Sequence, residues 1–543
     1  MPAKIVYSRT ILWPEWGPDR AGYPGTDEGR VAGGCILSID VGTTNIKAAL
    51  VDEDGNIAGA VKSIGLEMEG DAAGKAEHDP QKLQKALLDV CRRAIDSRGA
   101  DVDLLSLTSY QFGLVLADGE GTPLTKISTF VDTTAQSHHS RFLEAIGDVD
   151  RMYLRTGCPP IFQYPVNRLH YIASHNPALS SRVAHVLDSK SFLLHLLTGE
   201  YFTDFSTANS LGCLDVDGRW DKAIIETAGF DAAQFPKVLN GFVDKVRLKK
   251  TVCAEFGLKE GTEISAGLYD GAALAASLTG FEPNLAVGNF GTSGMFRVPT
   301  ANPIQDLAGG LIQSCLLRPG AFFTGSGINN CTIATNLLLN MLGLELDYLR
   351  TKKLSVPGSN GVMTFPYFTG ERDKTIGNIG TGMVFGLGVA STRDDLARSF
   401  LEGVAFSFLL VKNRLDPENE IREFRLGGGG TANLPWMQIM ADTLDLPIRL
   451  TQNPQMGIIG AACVARYGEG DGLLESSRKI MKEARVIEPD SRSVPIYKEI
   501  SERYFDVRAS LRIPLLARQG LSPMKNPVPE AVAKPLPLVR EIR

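Results

Sequence analysis

The sequence lacks three features, each of which would have pointed to a class of function. It has no excess of basic residues, because its formal net charge is −6, and this balance argues against nucleic acid as a partner. It has no apolar run close to the roughly 18 residues that cross a bilayer, so no membrane role is expected. Its eight cysteines are scattered without a CxxC pair, so zinc and redox motifs find no support. We therefore expect reduced thiols in a cytoplasmic protein.

The length of the chain limits its domain organisation. A chain of 543 residues is too long for one core, since single cores stop growing at about 250–300 residues. A boundary is predicted near residues 280–283, where a helix of small residues gives way to glycine and proline. Two domains are therefore predicted, at 35–281 and 282–513. Residues 1–34, which lack the apolar core of a signal peptide, are predicted to be an N-terminal extension, and the proline-rich residues 514–543 a tail.

The segment DVGTTN, at residues 40–45, lies between two apolar runs. A carboxylate, a glycine and two hydroxyls on a tight turn suit a metal ion and a phosphate at the end of a strand. In Rossmann and P-loop proteins the glycine-rich turn opens a helix, whereas this turn leads into a second strand. Neither of their motifs is present here, so those two nucleotide-binding folds are disfavoured.

The same pattern returns in the second half of the chain. An apolar run at 285–290 is followed by the turn GTSG at 291–294 and by another apolar run. Two such units predict two related domains, each offering a phosphate-binding turn to a shared cleft. A third candidate is the run of four glycines at 427–430, between a predicted strand and a predicted helix. Glycines let a ligand approach the backbone and a helix N-terminus attracts anions, although a tight turn without a ligand would also explain them.

Taken in order, these segments resemble the FGGY family of carbohydrate kinases, within the actin–hexokinase–Hsp70 superfamily. The resemblance covers about residues 35–510 and rests on an ordered set of short motifs at 40–47, 77–80, 197–200, 268–273, 291–294, 366–372 and 428–433. The family implies an α/β fold of two ribonuclease-H-like, actin-like ATPase domains, each with a mixed five-stranded sheet flanked by helices. Its active site lies in the interdomain cleft, with ATP mostly on the C-terminal domain and sugar mostly on the N-terminal one.

The resemblance also implies roles for individual residues. Asp270 is the candidate catalytic base, which accepts the proton of the sugar hydroxyl. Asp40 is the candidate magnesium residue, in contact with the metal through water. The residues expected to bind ATP are Thr43, Thr44, Gly291, Thr292, Ser293, Gly429, Gly430 and Asn433. The residue types alone leave helix capping open for Asp270 and Asn433, and an ordinary β-turn open for the two threonines.

The candidate substrate residues lie where this chain departs from the family. Many relatives carry Gln-Met-His-Gly, where this chain has Phe112 in place of a polar ligand. Many carry Trp-x-Asp-x-Arg, where this chain keeps Asp132 but has Phe130 for the tryptophan and Thr134 for the arginine. The substrate site has therefore drifted from those of common pentulose and glycerol kinases. The candidate substrate residues are Gln111, Phe112, Asp132, Gln163 and Asp270.

The expected function is ATP-dependent phosphorylation of a hydroxyl on a small sugar, sugar acid or polyol. Arg297 and the pair Asn329-Asn330 favour a gluconate kinase, and a xylulose-type or other ketose kinase comes next. An actin-like or Hsp70-like ATPase without sugar transfer is the alternative from another class, which Asp270 and the Gly-Glu-Arg motif at 370–372 disfavour. The expected ligands are ATP, Mg²⁺ and a small-molecule sugar, and a homodimer is compatible with the sequence.

Overall fold

The computed structural model describes residues 34–96, 101–351, 354–373, 382–451 and 453–517. The predicted N-terminal extension lies outside the described residues, apart from Gly34. Residues 518–543 of the predicted tail also lie outside them, while the last helix runs as far as Ala517.

The first half of the chain alternates short strands and helices. Its strands are β1 (Cys35–Val41), β2 (Asn45–Val51), β3 (Lys62–Gly65), β4 (Glu69–Gly70), β5 (Ala76–His78), β6 (Val102–Ser109), β7 (Val115–Ala117), β8 (Ile127–Ser128), β9 (His185–Leu187), β10 (Phe202–Asp204), β11 (Lys237–Leu239), β12 (Lys245–Arg247) and β13 (Glu263–Ser265). Its helices are α1 (Pro80–Ile95), α2 (His139–Ile146), α3 (Val149–Thr156), α4 (Pro165–His175), α5 (Pro177–Ser180), α6 (Ser189–Thr198), α7 (Phe205–Asn209), α8 (Lys222–Thr227), α9 (Lys250–Phe256) and α10 (Asp270–Thr279).

The second half has longer helices. Its strands are β14 (Leu285–Phe290), β15 (Gly294–Thr300), β16 (Gln313–Arg318), β17 (Ala321–Ile328), β18 (Met363–Phe365), β19 (Met383–Phe385), β20 (Glu423–Gly427), β21 (Ile448–Leu450) and β22 (Arg485–Ile487). Its helices are α11 (Thr332–Leu342), α12 (Leu346–Thr351), α13 (Arg393–Leu415), α14 (Leu434–Leu444), α15 (Met456–Tyr467), α16 (Asp471–Ile480) and α17 (Val494–Ala517). Within the described residues, no helix combines the length and the apolar character needed to cross a membrane.

The two large sheets share one strand order. The first runs β12-β13-β6-β1-β2-β3 and the second β16-β17-β15-β14-β20-β21-β22. In each sheet three antiparallel strands are followed by two parallel ones, in the order β3-β2-β1-β6-β13 and β17-β15-β14-β20-β21. These five strands form the predicted mixed sheet, and they occur once in each half.

Both sheets are larger than the predicted five strands. They have six and seven strands, because β12 joins the first sheet and β16 and β22 join the second, all as antiparallel edge strands. Strands β12 and β22 have only three residues each. Segments of that length are too short to give the alternation of apolar and polar residues by which a strand is recognised.

Both faces of the first sheet are covered, which explains why β1 is almost wholly buried. Leu37 and Ile39 pack in one cluster with α1 and α6, whereas Ile36, on the other face, packs with α15 from the second half. Because side chains alternate along a strand, Ser38 and Asp40 share the face that meets α15. The hydroxyl of Ser38 donates to a carbonyl of α15 at 2.7 Å.

Helices α10 and α15 join the two halves at the centre of the molecule. Helix α15, from the second half, lies on the first sheet, and α10, from the first half, packs in one cluster with Val287 of the second sheet. The two helices cross in backbone contact, since a Cβ placed on Gly460 would lie 1.8 Å from the carbonyl oxygen of Ala273. This crossing brings the sheets together with the start of each helix at the same cleft.

A second contact joins the halves through the hairpin of β16 and β17. The amide of Ser314 donates to the carbonyl of Gly157 at 2.9 Å, and the amide of Asp306 donates to the hydroxyl of Tyr153 at 3.0 Å. That hydroxyl in turn donates to the carbonyl of Ile312. An apolar cluster of residues from both halves accompanies these bonds: Ala208, Leu214, Leu316 and Phe322.

Candidate active site

Two half-buried carboxylates lie close enough for their charges to interact where the helices start. Asp40 lies near the end of β1, and a Cβ placed on Gly457, in the first turn of α15, would be 3.6 Å from its Oδ2. Asp270 is the first residue of α10, and the capping position belongs to Tyr269, whose side chain makes no capping bond. One oxygen of Asp270 accepts only from the neighbouring amide of Gly271, at 2.7 Å. The structure thus brings the candidate metal residue and the candidate base to one site.

The environment of this pair favours the protonated forms. Burial, with the negative charge of Asp40 as a second cause, raises the pKa of Asp270 to about 7, although the Gly271 amide and the charge of Arg297 act in the opposite direction. Burial also raises the pKa of Asp40, against the charge of Lys47, which is its cross-strand partner. When either carboxyl ionises, its negative charge is therefore left largely uncompensated by the surrounding groups.

A divalent cation fits this charge distribution. Mg²⁺ binds through one or two carboxylates and keeps several waters or phosphate oxygens, and Asp40 with Asp270 nearby provides that donor set. Over the described residues, no group of three or more His, Cys, Asp or Glu could hold a metal ion. A magnesium ion at Asp40 would therefore complete its ligands with water and phosphate.

The first predicted phosphate turn is held from two sides. Its closing bond runs from the amide of Gly42 to the carbonyl of Asn45, at 3.0 Å. His78 bonds the carbonyl of Thr43 through Nε2 at 2.9 Å, and the carbonyl of Thr44 accepts from the chain at 2.8 Å. The Thr44 side chain is exposed and accepts from Nδ2 of Asn45 at 3.2 Å, and the Thr43 side chain is half-buried. The backbone bonds thus fix the turn while the hydroxyl of Thr44 lies at the surface.

The second predicted phosphate turn packs on the start of α11. The carbonyl of Gly291 accepts the amide of Thr332 at 3.0 Å, and the carbonyl of Thr292 accepts the amide of Cys331 at 3.2 Å. Thr292 and its neighbour Ser293 are exposed. The turn is fixed through its backbone, and its two hydroxyl side chains face solvent.

The glycines of the run at 427–430 are explained by different contacts at different positions. A Cβ on Gly428 would lie 2.6 Å from Oδ1 of Asn289, and one on Gly430 would lie 2.5 Å from Phe290, so packing within the protein requires both glycines. A Cβ on Gly429 would meet nothing within 4 Å, and this residue alone of the three borders open space. Asn433 caps α14, with Oδ1 accepting from the amide of residue 436 at 3.1 Å, so a nucleotide would have to use its amide nitrogen.

The predicted substrate residues do not form one cluster. Gln111 is half-buried and donates to Sγ of Cys315, in the second half, at 3.5 Å. Phe112, with φ +65°, is 7 % exposed and lies in an apolar cluster, edge-on to Tyr164. Gln163 is half-buried just before α4. Of these, only Gln111 reaches across to the other half.

Asp132 has its oxygens occupied within its own half. Oδ2 accepts the amide of Ala76 at 3.0 Å, and Oδ1 accepts the amide and hydroxyl of Thr134 and the guanidinium of the buried Arg168. An ionised carboxylate has about four lone-pair sites, and here four bonds fill them. The geometry gives Asp132 the role of holding this part of the first half together.

Two arginines that the site prediction omitted lie close to each other, and the charge of one of them, Arg297, acts on Asp270. Arg297 is 4 % exposed and donates to the Phe323 carbonyl (3.0 Å) and to Gln313 (2.5 Å), while its Nε lacks a partner in the described part of the chain. Arg372 donates to Asn329 at 3.0 Å and its guanidinium lies against a glycine at 327. Burial, with the charge of Arg297 as a second cause, lowers the pKa of Arg372, so the two guanidinium groups are close enough to repel each other. The Gly-Glu-Arg motif was the sequence signal for Arg372.

Comparison with known proteins identifies the class and then the family. The fold of two repeated sheets around one cleft is that of the two-domain actin-like ATPases, and it is shared with solved sugar kinases. Residues 35–277 match the N-terminal domain of the FGGY family of carbohydrate kinases, and residues 286–469 match its C-terminal domain. The chain therefore belongs to the FGGY family of carbohydrate kinases, which confirms the resemblance and the fold predicted from its motifs.

The individual relatives fall into two kinds of kinase. The chain is 24% identical over 491 residues to a xylulose kinase of Haemophilus influenzae, and this alignment covers 86% of this chain and 98% of the relative. It is 23% identical over 454 residues to a gluconokinase of Bacillus subtilis, and this alignment covers 80% of this chain and 88% of the relative. The crystal structure of gluconate kinase from Lactobacillus acidophilus has the same fold, with a TM-score of 0.82, 22% identity and coverage of 89% and 99%. The chain is thus a carbohydrate kinase, as expected from its sequence.

Proposed function

We propose that this carbohydrate kinase transfers the γ-phosphoryl group of ATP to a hydroxyl of a small sugar acid, with Asp270 as the general base. The proposal depends first on the half-buried Asp270 carboxylate, whose pKa of about 7 suits a base that works near neutral pH. Phosphoryl transfer otherwise needs little covalent work from the protein, since positioning and charge stabilisation dominate. Asp270 would take the proton from the attacking hydroxyl.

The remaining parts of the site would hold ATP. Asp40 would hold magnesium, which when bound neutralises phosphate charge. The hydroxyls of the two turns (Thr43, Thr44, Thr292 and Ser293) would position the phosphates, with Gly291 in the second turn. The adenosine would pass the open side of Gly429, beside Gly430 and the amide nitrogen of Asn433.

The pair Arg297 and Arg372 supports a sugar acid as the substrate. None of the ion pairs among the described residues includes either arginine. Two neighbouring guanidinium groups repel each other, and a carboxylate that accepts two parallel hydrogen bonds would stabilise them. The acid group of an aldonic acid would supply that carboxylate. Gln111 and Gln163 would then contact the hydroxyls, and Phe112 would limit the site on its apolar side.

A ketose kinase is the second candidate. It is favoured by the xylulose kinases among the relatives, which match most of this chain. A ketose would bring no carboxylate of its own to the two guanidinium groups, and for this reason we rank it below the acid.

The substrate proposal is tested by an ADP-release assay against aldonic acids, ketoses and polyols. We expect turnover with an aldonic acid, and Arg372→Gln should raise its KM by about 10- to 100-fold, as loss of a charge-assisted bond predicts, with an unchanged KM for ATP. Arg318→Gln, which alters an arginine paired with Glu469, is the control and should change neither constant. A ketose as the sole substrate, or a raised KM for ATP in Arg372→Gln, would contradict the acid site.

The role of Asp270 is tested by Asp270→Asn, which keeps the volume and removes the proton acceptor. We expect sugar-dependent ATP turnover to disappear while nucleotide affinity stays nearly intact. Asp221→Asn is a matched control, because Asp221 is a buried carboxylate, which caps α8 and pairs with Arg155. Equal loss of nucleotide binding in Asp270→Asn would refute the assignment.

We also infer a domain division, a cytoplasmic location and a homodimer. A domain division at 281/282 is supported by the gap between β13, which ends at Ser265, and β14, which starts at Leu285. A cytoplasmic location is supported by the eight cysteines, which form no disulfide with one another in the described part of the chain. A homodimer would be distinguished from a monomer by light scattering of the purified protein.

A further inference from the structure

One peptide group next to Asp270 is held at both of its polar ends. The carbonyl of Leu268 accepts from the hydroxyl of Thr108 at 2.9 Å and from the ammonium of Lys190 at 3.3 Å. The amide of Tyr269, which belongs to the same peptide group, donates to the hydroxyl of Ser206 at 3.0 Å. Asp270 follows directly, so the orientation of this peptide sets the direction in which its carboxylate leaves the backbone.

A single carboxylate connects the two sides of this arrangement. Oδ2 of Asp204 accepts from Lys190 at 2.7 Å, and its Oδ1 accepts from the amide (2.8 Å) and the hydroxyl of Ser206. Both Lys190 and Asp204 have fully buried side chains, with 0 % exposure. The group that holds the Leu268 carbonyl and the group that holds the Tyr269 amide are therefore fixed relative to each other.

Ordinary structural needs do not require the lysine. Asp204 also caps α7 through its bonds to the amides of Ser206 and Thr207, and capping needs no cation. Burying a lysine and an aspartate removes two charges from water, and well-packed apolar residues of similar size are often as stable or more so. What the ion pair adds here is a charged donor aimed at one carbonyl, that of Leu268.

We propose that Lys190, Asp204 and Ser206 form a clamp on the 268–269 peptide that sets the orientation of the Asp270 carboxylate for proton transfer. They are positioning residues, since none of them contacts the reacting atoms. The inference rests on the proposed function of Asp270 as the base. A misplacement of about 1 Å can cost on the order of 100-fold in rate, and a freed peptide group would permit a shift of that size.

The test measures kcat and KM separately in three variants. Ser206→Ala removes only the hydroxyl that accepts from Tyr269. Lys190→Met removes the charged donor, and the double variant Lys190→Met with Asp204→Asn avoids leaving a buried carboxylate unpaired. In each we expect kcat to fall by about 10- to 100-fold, with KM for sugar and ATP within about threefold of the parent protein.

A second buried lysine provides the matched control. Lys412 pairs with Asp416 at 3.6 Å, with side-chain exposures of 6 % and 1 %, at the end of α13 and before β20. Lys412→Met should lower the melting temperature as Lys190→Met does and leave kcat unchanged. A general loss of stability would then be separated from a loss of positioning.

The outcomes distinguish this inference from the proposed function. One outcome is that Asp270→Asn is inactive while Ser206→Ala and the double variant keep the parental kcat or change only KM. This outcome refutes the clamp and leaves the assignment of Asp270 as the base intact. If Asp270→Asn keeps its turnover, the proposed base itself is refuted. If Lys190→Met fails to fold, Ser206→Ala decides, because it alters neither charge.

Discussion

Ionisation of Asp270 costs the folded protein free energy at neutral pH. Its carboxyl has a pKa of about 7 in the fold, compared with an ordinary value of 3.8. A group whose pKa is raised on folding stabilises the protein while it is protonated, and this contribution is lost as the pH rises from about 4 to about 7. The residue proposed as the base is therefore also a source of instability above pH 7.

We predict that Asp270→Asn melts at a higher temperature than the parent protein at pH 8. The asparagine removes the charge without changing the volume, and a shift from 3.8 to about 7 corresponds to roughly 4 kcal/mol. Thermal unfolding followed by circular dichroism at pH 8 and at pH 5 checks the prediction, because the gain should shrink at the lower pH. An equal gain at both values would assign the effect to something other than ionisation.

At the scale of residues, sequence motifs identify functional residues that lie within one short segment. Asp40 and Asp270 were predicted because each lies within one recognisable segment. Lys190 and Ser206 were not predicted, because their significance depends on α6, α7 and residue 268 meeting in space. The proposed acid site could be predicted only in part. The sequence singled out Arg297, but the short distance between Arg297 and Asp270 depends on how the second sheet packs.

At the scale of elements, α17 supports the segment that carries Arg372. It begins at Val494, beyond residue 469, where the family match ends. Arg508 on this helix pairs with Asp373 at 2.8 Å and donates to the hydroxyl of Tyr367 at 2.9 Å, and both charged groups are buried. Because Asp373 directly follows Arg372, the helix fixes one end of the proposed acid site.

We predict that Arg508→Met raises the KM for sugar and lowers the free energy of unfolding by about 3–5 kcal/mol, since it removes the cationic member of a buried ion pair. Adding Asp373→Asn should restore much of the stability but not the KM. Denaturant unfolding and steady-state kinetics measure the two effects. Arg503→Met, which breaks an exposed pair on the same helix, is the control and should change stability by less than about 1 kcal/mol; an equal loss there would contradict the specific role of Arg508.

The repeated five-stranded core of each sheet was predictable and its edges were not. The turns at 40–45 and 291–294 mark the first two strands of each core, and the family resemblance implied the other three. In contrast, β22 reads only Arg-Val-Ile and becomes a strand because β21 offers it a free edge. Such a strand is set by tertiary context rather than by its own pattern.

At the scale of the whole molecule, the halves touch at α10 and α15 and again at the hairpin of β16 and β17. The first contact is a backbone crossing at Gly460. The second depends on a few hydrogen bonds around Tyr153 and a small apolar cluster. We therefore expect the halves to pivot at the crossing and to separate at the Tyr153 contact.

We predict that Tyr153→Phe opens the ligand-free protein, since it removes the hydroxyl bonded to Ile312 and Asp306. The radius of gyration from small-angle scattering should increase, and saturating sugar acid with nucleotide should restore the parental value. A kinase that must exclude water is expected to close on its ligands. Tyr201→Phe, in which the altered ring stacks within the first half, should leave the profile unchanged, and identical profiles for all three proteins would contradict the prediction.

The common strand order of the two sheets is what duplication of one ancestral half would leave. Counted from the glycine of each turn, Asp40 in β1 corresponds to Asn289 in β14. The copies thus differ at this position by one oxygen exchanged for nitrogen, which removes the charge and turns Oδ1 of Asn289 towards Gly428. An enzyme built from two equal halves would bind a symmetric ligand. This divergence gives the cleft an anionic end at Asp40 and a neutral end at Asn289, and it therefore favours one direction for a nucleotide that carries magnesium.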